Sequence, residues 1–198
     1  MKHIIILALV ICCFSIKAQQ TSEAAFAKSY SFEYETQYAK AITALTDMHL
    51  ESYQIDLRLG WLYYLSKDYM KSEQYYRKAI TIEPSSIEAR FGLVLPLSTL
   101  GNWNNVLSVY LEITKLDPNN SIANYRLASI YYTRKDYSNA SLYVSKVLKL
   151  YPFDYDSNLL TGKILMAQTK NADAKKHFIK ALEYNPQSED AKAAIKKL

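Results

Sequence analysis

Apolar residues recur at steps of three and four along most of the chain, as in Leu57-Leu59…Leu62-Tyr63…Leu65, and no long alternating stretch marks a strand. The pattern predicts paired helices. Within residues 53–86 a helix over Gln54–Leu65 is followed by the polar turn Ser66-Lys67-Asp68 and a second helix over Tyr69–Ile82. Pro84 has no N–H to continue that helix and biases Glu83 away from helical geometry. Ser85 and Ser86 then offer side-chain oxygens to cap the next helix. The pattern restarts at Ile87, Ser121 and Tyr155, with cap candidates at Asn119-Asn120-Ser121, at Asp154 and Asp156, and at Gln187-Ser188.

Four prolines hold the phase: Pro84, Pro118, Pro152 and Pro186 recur at one constant interval. A fixed period in this range means stacked supersecondary units. In the first unit Leu59-Gly60 and Tyr63 occupy one helix, and Ser72, Tyr76 and Ala79 the next. Residues 121–154 repeat this with Leu127-Ala128, Tyr131, Ala140 and Val147, and 155–188 with Gly162, Leu165, Ala174, Phe178 and Ala181. These residues resemble the tetratricopeptide repeat, a helix–turn–helix unit that restarts at the same interval. The resemblance covers residues 53–188 as four repeats (53–86, 87–120, 121–154, 155–188) and implies an all-α, right-handed superhelical solenoid of stacked helix pairs. Small residues at 60, 128 and 162 allow close helix approach, and large aromatics fill the space beside them.

The flanks and the second unit depart from the pattern. In 87–120, Val94 stands at the small position and Pro96 lies inside the first helix, which predicts a kink near Gly92–Pro96. Residues 19–52 read as a degenerate N-terminal helix pair. Ser22–Glu35 is its first helix and Tyr38-Ala-Lys-Ala41-Ile42…Leu45 starts its second, a little short of full register. Residues 189–198 read as a short helix with acids first and lysines last, capping the open face of the last repeat.

Met1–Ala18 is a different text. Lys2 and His3 precede the apolar run Ile4–Ile16, too short to span a bilayer and suited to a secretory signal with Ala18 before the cut, an uncleaved N-terminal anchor being the alternative. Both cysteines, Cys12 and Cys13, fall inside this leader, so the mature chain has none and forms no disulfide. The reading is an exported protein, periplasmic or secreted, with no stable membrane span once the leader is removed. Charge is balanced over residues 19–169. The basic surplus is confined to Lys170–Leu198, whose seven lysines face four acids, which is not the dense stripe that nucleic acid requires.

No catalytic, cofactor-binding or metal-ligating constellation is legible. His49 and His177 are far apart, the four glycines are dispersed, and no serine sits in a Gly-x-Ser-x-Gly elbow. The expectation is therefore a binding protein and not an enzyme. The resemblance implies that positions two, five, six, nine and twelve of each first helix line a concave groove. These are Gln54, Leu57, Arg58, Trp61 and Tyr64; Glu88, Phe91, Leu95 and Ser98; Ile122, Tyr125, Arg126, Ser129 and Tyr132; and Asp156, Leu159, Lys163 and Met166. Tryptophan, tyrosine and arginine carry most interface energy, so the partner is expected to be a peptide or protein segment. Glycan binding on the same aromatics and self-assembly are the alternatives.

Overall fold

Local chemistry sets where each helix starts and stops. The computed structural model describes residues 22–198, and the leader assigned to residues 1–18 lies outside the described residues. Among the described residues there are eleven helices and no strand. Helix α1 covers residues 22–34. It is followed by α2 (Tyr38–Thr46), α3 (Tyr53–Leu65), α4 (Tyr69–Ile82), α5 (Ile87–Thr99) and α6 (Trp103–Leu116). The chain continues through α7 (Ser121–Thr133), α8 (Tyr137–Leu150), α9 (Tyr155–Ala167), α10 (Asn171–Tyr184) and α11 (Glu189–Ile195). The chain divides into two compact units, α1–α5 up to Asn102 and α6–α11 from Trp103. Each is a stack of antiparallel helices of the α-solenoid kind.

The caps repeat with the period of the prolines. Ser52, Ser86, Asn120, Asp154 and Ser188, spaced at that same interval, accept a hydrogen bond from the backbone N–H three positions on. Pro96 sits buried within α5, which runs unbroken from Ile87 to Thr99. The turns inside the helix pairs obey a second rule. Thr36, Lys67, Gly101, Lys135 and Thr169 all adopt positive φ, from 58° to 73°. In each, the following N–H reaches back five positions, as Asp68 to Tyr63 and Asp136 to Tyr131 at 2.9 Å. This is the Schellman ending, and Asp68 and Asp136 then cap the next helix. Of these five, only Gly101 is free of the Cβ penalty of the left-handed region. Lys67→Gly and Lys135→Gly are expected to raise stability by about 0.5–1 kcal/mol each, read as a higher urea midpoint.

Buried amides tie each proline turn to the helix after it. Asn124 donates through Nδ2 to the carbonyls of Pro118 and Asn120, and Asn158 does the same to Pro152 and Asp154. With Nδ2 so occupied, Asn158 turns Oδ1 to His177, 3.0 Å from Nδ1, and the ring nitrogen is the donor. Burial pushes the His177 pKa down, and Lys180 adds to this against the opposing pull of Asp173. A depressed folded-state pKa means the unfolded chain takes up the proton first. Stability is complete above about pH 6.5 and declines as pH falls below it. Urea unfolding at pH 7.5 and pH 5.5 should show this loss, and His177→Gln should reduce it.

Candidate interaction pockets

The first unit gathers its groove positions around one open pocket of about 580 Å³. Gln54, Leu57, Arg58 and Trp61 come from α3, and Glu88, Phe91, Gly92 and Leu95 from α5. Parallel stacking of equivalent helices brings residues of equal register to one face, so the spacing of three and four becomes a lined surface. Tyr64 is not at the pocket. It stacks on Trp61 at 5.9 Å and tilts against Tyr69 at 5.7 Å.

Helix α1 closes one side with Phe26 and Tyr30, and it changes the state of the predicted cation. Arg58 is only 8% exposed: its Nη2 meets the Glu33 carboxylate in an ion pair, and its guanidinium lies 3.8 Å over the Tyr30 ring. The same carboxylate accepts the Trp61 indole N–H at 2.8 Å. Arg58 and Trp61 are thus pocket walls whose charge and N–H already engage Glu33, not free surface groups. The ion pair does not satisfy the whole guanidinium. Neither Nε nor Nη2 makes a hydrogen bond of good geometry among the described residues. A buried donor left unmade costs about 1–3 kcal/mol, and both atoms are closed off from solvent in this arrangement.

Tyr76 on α4 forms another wall. Its ring is 3% exposed and is held between two glycines: a Cβ on Gly60 would lie 2.9 Å from it, and one on Gly92 2.1 Å. Burial drives its phenol pKa far above the ordinary tyrosine range, and the negative charge of Glu88 adds to the shift. Tyr53 donates to Glu88 Oε2 at 3.2 Å and shares a 2.8 Å hydrogen bond with Ser86 Oγ. Its phenol is also raised, first by burial.

The second unit has a smaller pocket of about 400 Å³, lined by Ile122, Tyr125 and Arg126 with Tyr151, Asp154 and Asp156. Burial raises the Tyr125 phenol and Asp156 raises it further. Other groove positions of this unit are used for packing. Ser129 bonds back to the Tyr125 carbonyl, and Tyr132 packs on Tyr137 at 6.0 Å. Leu159 is 8% exposed and joins the core of Ala174, Phe178, Ala181, Ala191 and Ala194, to which α11 contributes its two buried alanines. Lys163 pairs with Asp190 of α11 at 3.3 Å. Among the described residues no three His, Cys, Asp or Glu side chains converge as metal ligands, and no helix is long and apolar enough to cross a membrane.

Phe26, Tyr30, Glu33, Tyr53 and Tyr76 line or support the first pocket without belonging to the predicted groove set. A signal for three of them lies in the sequence. Tyr38 matches Tyr69, so residue 22 takes the first place of the degenerate unit, and Phe26, Tyr30 and Glu33 fall on its fifth, ninth and twelfth positions. Ser29 falls on the small position and is fully buried.

Two family models for the tetratricopeptide repeat match this chain, at residues 57–86 and 99–155. No curated protein sequence matches it significantly. Solved structures share the fold. A tetratricopeptide repeat protein from Parabacteroides merdae has a TM-score of 0.77 at 16% identity, over 89% of this chain and 71% of that one. A MamA protein has 0.72 at 17% identity, over 83% of this chain and 92% of its own. YrrB, described as a tetratricopeptide repeat protein with an unusual peptide-binding site, has 0.71 at 15% identity, over 88% of this chain and 91% of its own.

Proposed function

We propose that this chain, which carries tetratricopeptide repeats, is an exported, non-catalytic scaffold that holds a segment of a partner protein in the pocket of its first unit. The observation that carries the reading is that pocket itself. It is open, about 580 Å³, walled by Trp61, Phe91, Tyr30 and Tyr76, and contains a buried Arg58 with an unused donor. Aromatic and arginine anchors in desolvated pockets carry most of the energy of protein interfaces. The peptide-binding site named for YrrB lends the same direction, at the level of the shared fold. Export rests on the leader read at residues 1–18, and N-terminal sequencing of the secreted or periplasmic protein should begin just after Ala18.

The two pockets can be separated by experiment. Trp61→Ala should weaken capture of the partner, recovered from envelope fractions, by tenfold or more, as for a hot-spot residue of about 2 kcal/mol. Tyr125→Ala should leave it within a few-fold. A Trp61→Ala protein with unchanged circular dichroism and unchanged capture would remove the first-unit pocket from consideration.

A further inference from the structure

The geometry points to a charge rule at this pocket: it selects a segment that inserts a large apolar side chain beside a lysine or arginine, and it rejects acidic segments. This rests on the reading of the pocket as a peptide site. Among the described residues the only cation in its wall is Arg58, and Glu33 neutralises it from within the chain. Glu33 therefore occupies the place an incoming carboxylate would take. Glu88, at the rim, has no ion pair among the described residues and is bonded to the Tyr53 hydroxyl. With Arg58 and Glu33 cancelling, Glu88 is left as an uncompensated negative charge in the described wall. The interior beside it is aromatic and aliphatic, from Trp61, Phe91, Leu57 and Leu95.

Little polar capacity is left over. Nη2 is engaged by Glu33, and Nε, without a hydrogen bond among the described residues, is closed off from solvent, so Arg58 offers an incoming segment no free charge. A carboxylate there would compete with Glu33 and approach Glu88 at the same time, so two like charges oppose it. A cation beside the inserted side chain meets Glu88 at the water-exposed rim. Exposed pairs of this kind bias affinity by only about two- to fivefold each and weaken with salt. Selectivity here is a preference between peptides, with the apolar insertion supplying most of the affinity.

The test is selection of a random dodecapeptide phage library on the immobilised full chain without its leader, with Trp61→Ala, Glu88→Lys and Glu33→Gln proteins as parallel baits. Enriched peptides should carry an aromatic or large aliphatic residue within a few positions of a lysine or arginine, and Trp61→Ala should not retain them. Glu88→Lys should erase or reverse the basic bias, and Glu33→Gln should admit acidic peptides by freeing Arg58. As a quantitative check, one enriched peptide should bind Glu88→Gln about threefold more weakly than the unaltered chain, a difference that shrinks in concentrated salt. Enrichment lost in Trp61→Ala but without charge bias, or with acidic bias, would overturn the charge rule and leave the pocket standing. No enrichment above an unrelated bait, or enrichment that Trp61→Ala retains, would overturn the rule and the pocket together.

Discussion

Phe178→Ala should destabilise the second unit by about 3–5 kcal/mol, the range for removing a fully buried aromatic. Phe178 is entirely buried and is the largest side chain among the fully buried residues described. Its ring lies against Gly162, where a Cβ would come within 2.5 Å, and within a cluster of alanines at 174, 181, 191 and 194. Alanines have little side chain with which to fill the space left behind, so most of the cavity term remains. In a repeat array stability is held by neighbouring contacts, so the loss should be local at first. Hydrogen exchange should rise across α9–α11 before the first unit responds. A loss in urea well below about 1 kcal/mol would mean that this core is not packed as described.

The second large effect joins stability to binding. Gly92→Ala would gain about 1 kcal/mol of helix propensity in an isolated helix. Here the new methyl group would sit 2.1 Å from Tyr76 Cε1, on a ring already so near Gly60 that a Cβ there would lie 2.9 Å from it. Overpacking costs about 1–3 kcal/mol and outweighs the propensity gain. Tyr76 must then move, and since it walls the pocket, partner capture should fall with stability. The double variant Gly92→Ala/Tyr76→Leu separates the causes. It should recover much of the stability, giving a coupling energy of about 0.5 kcal/mol or more, as expected for two residues in contact. Equal and additive losses in the two single variants would show that the ring and the glycine are not in conflict.

Much of the site was legible because a helical repeat converts position into direction. Gln54, Leu57, Arg58, Trp61, Glu88, Phe91 and Leu95 share register positions, and the structure gathers them at one pocket. Arg58 shows what register leaves out. Its position was readable, but its charge state in the pocket depends on Glu33 and Tyr30, which come from α1, two helices earlier in the chain. The shortened register of the first helix pair hid that correspondence. Leu159 shows the converse. It holds the same register position as Leu57, Phe91 and Tyr125, yet it is core, because α11 adds Ala191 and Ala194 to its cluster.

The sequence by itself determined the helices and their phase. Helix starts and stops are local chemistry: the caps at residues 86, 120, 154 and 188 and the prolines at a fixed period involve groups close together in the chain, so they can be read in place. The cap at Ser52 and the left-handed endings at 36, 67, 101, 135 and 169, four of them not glycine, are seen only in the structure. Only the tertiary structure decided that Tyr76 is clasped between Gly60 and Gly92, that Glu33 neutralises Arg58, and that Leu159 is buried in a groove position. These depend on which side chains meet across separate helices. Packing selects among neighbours by shape and charge, and neither is written in the spacing.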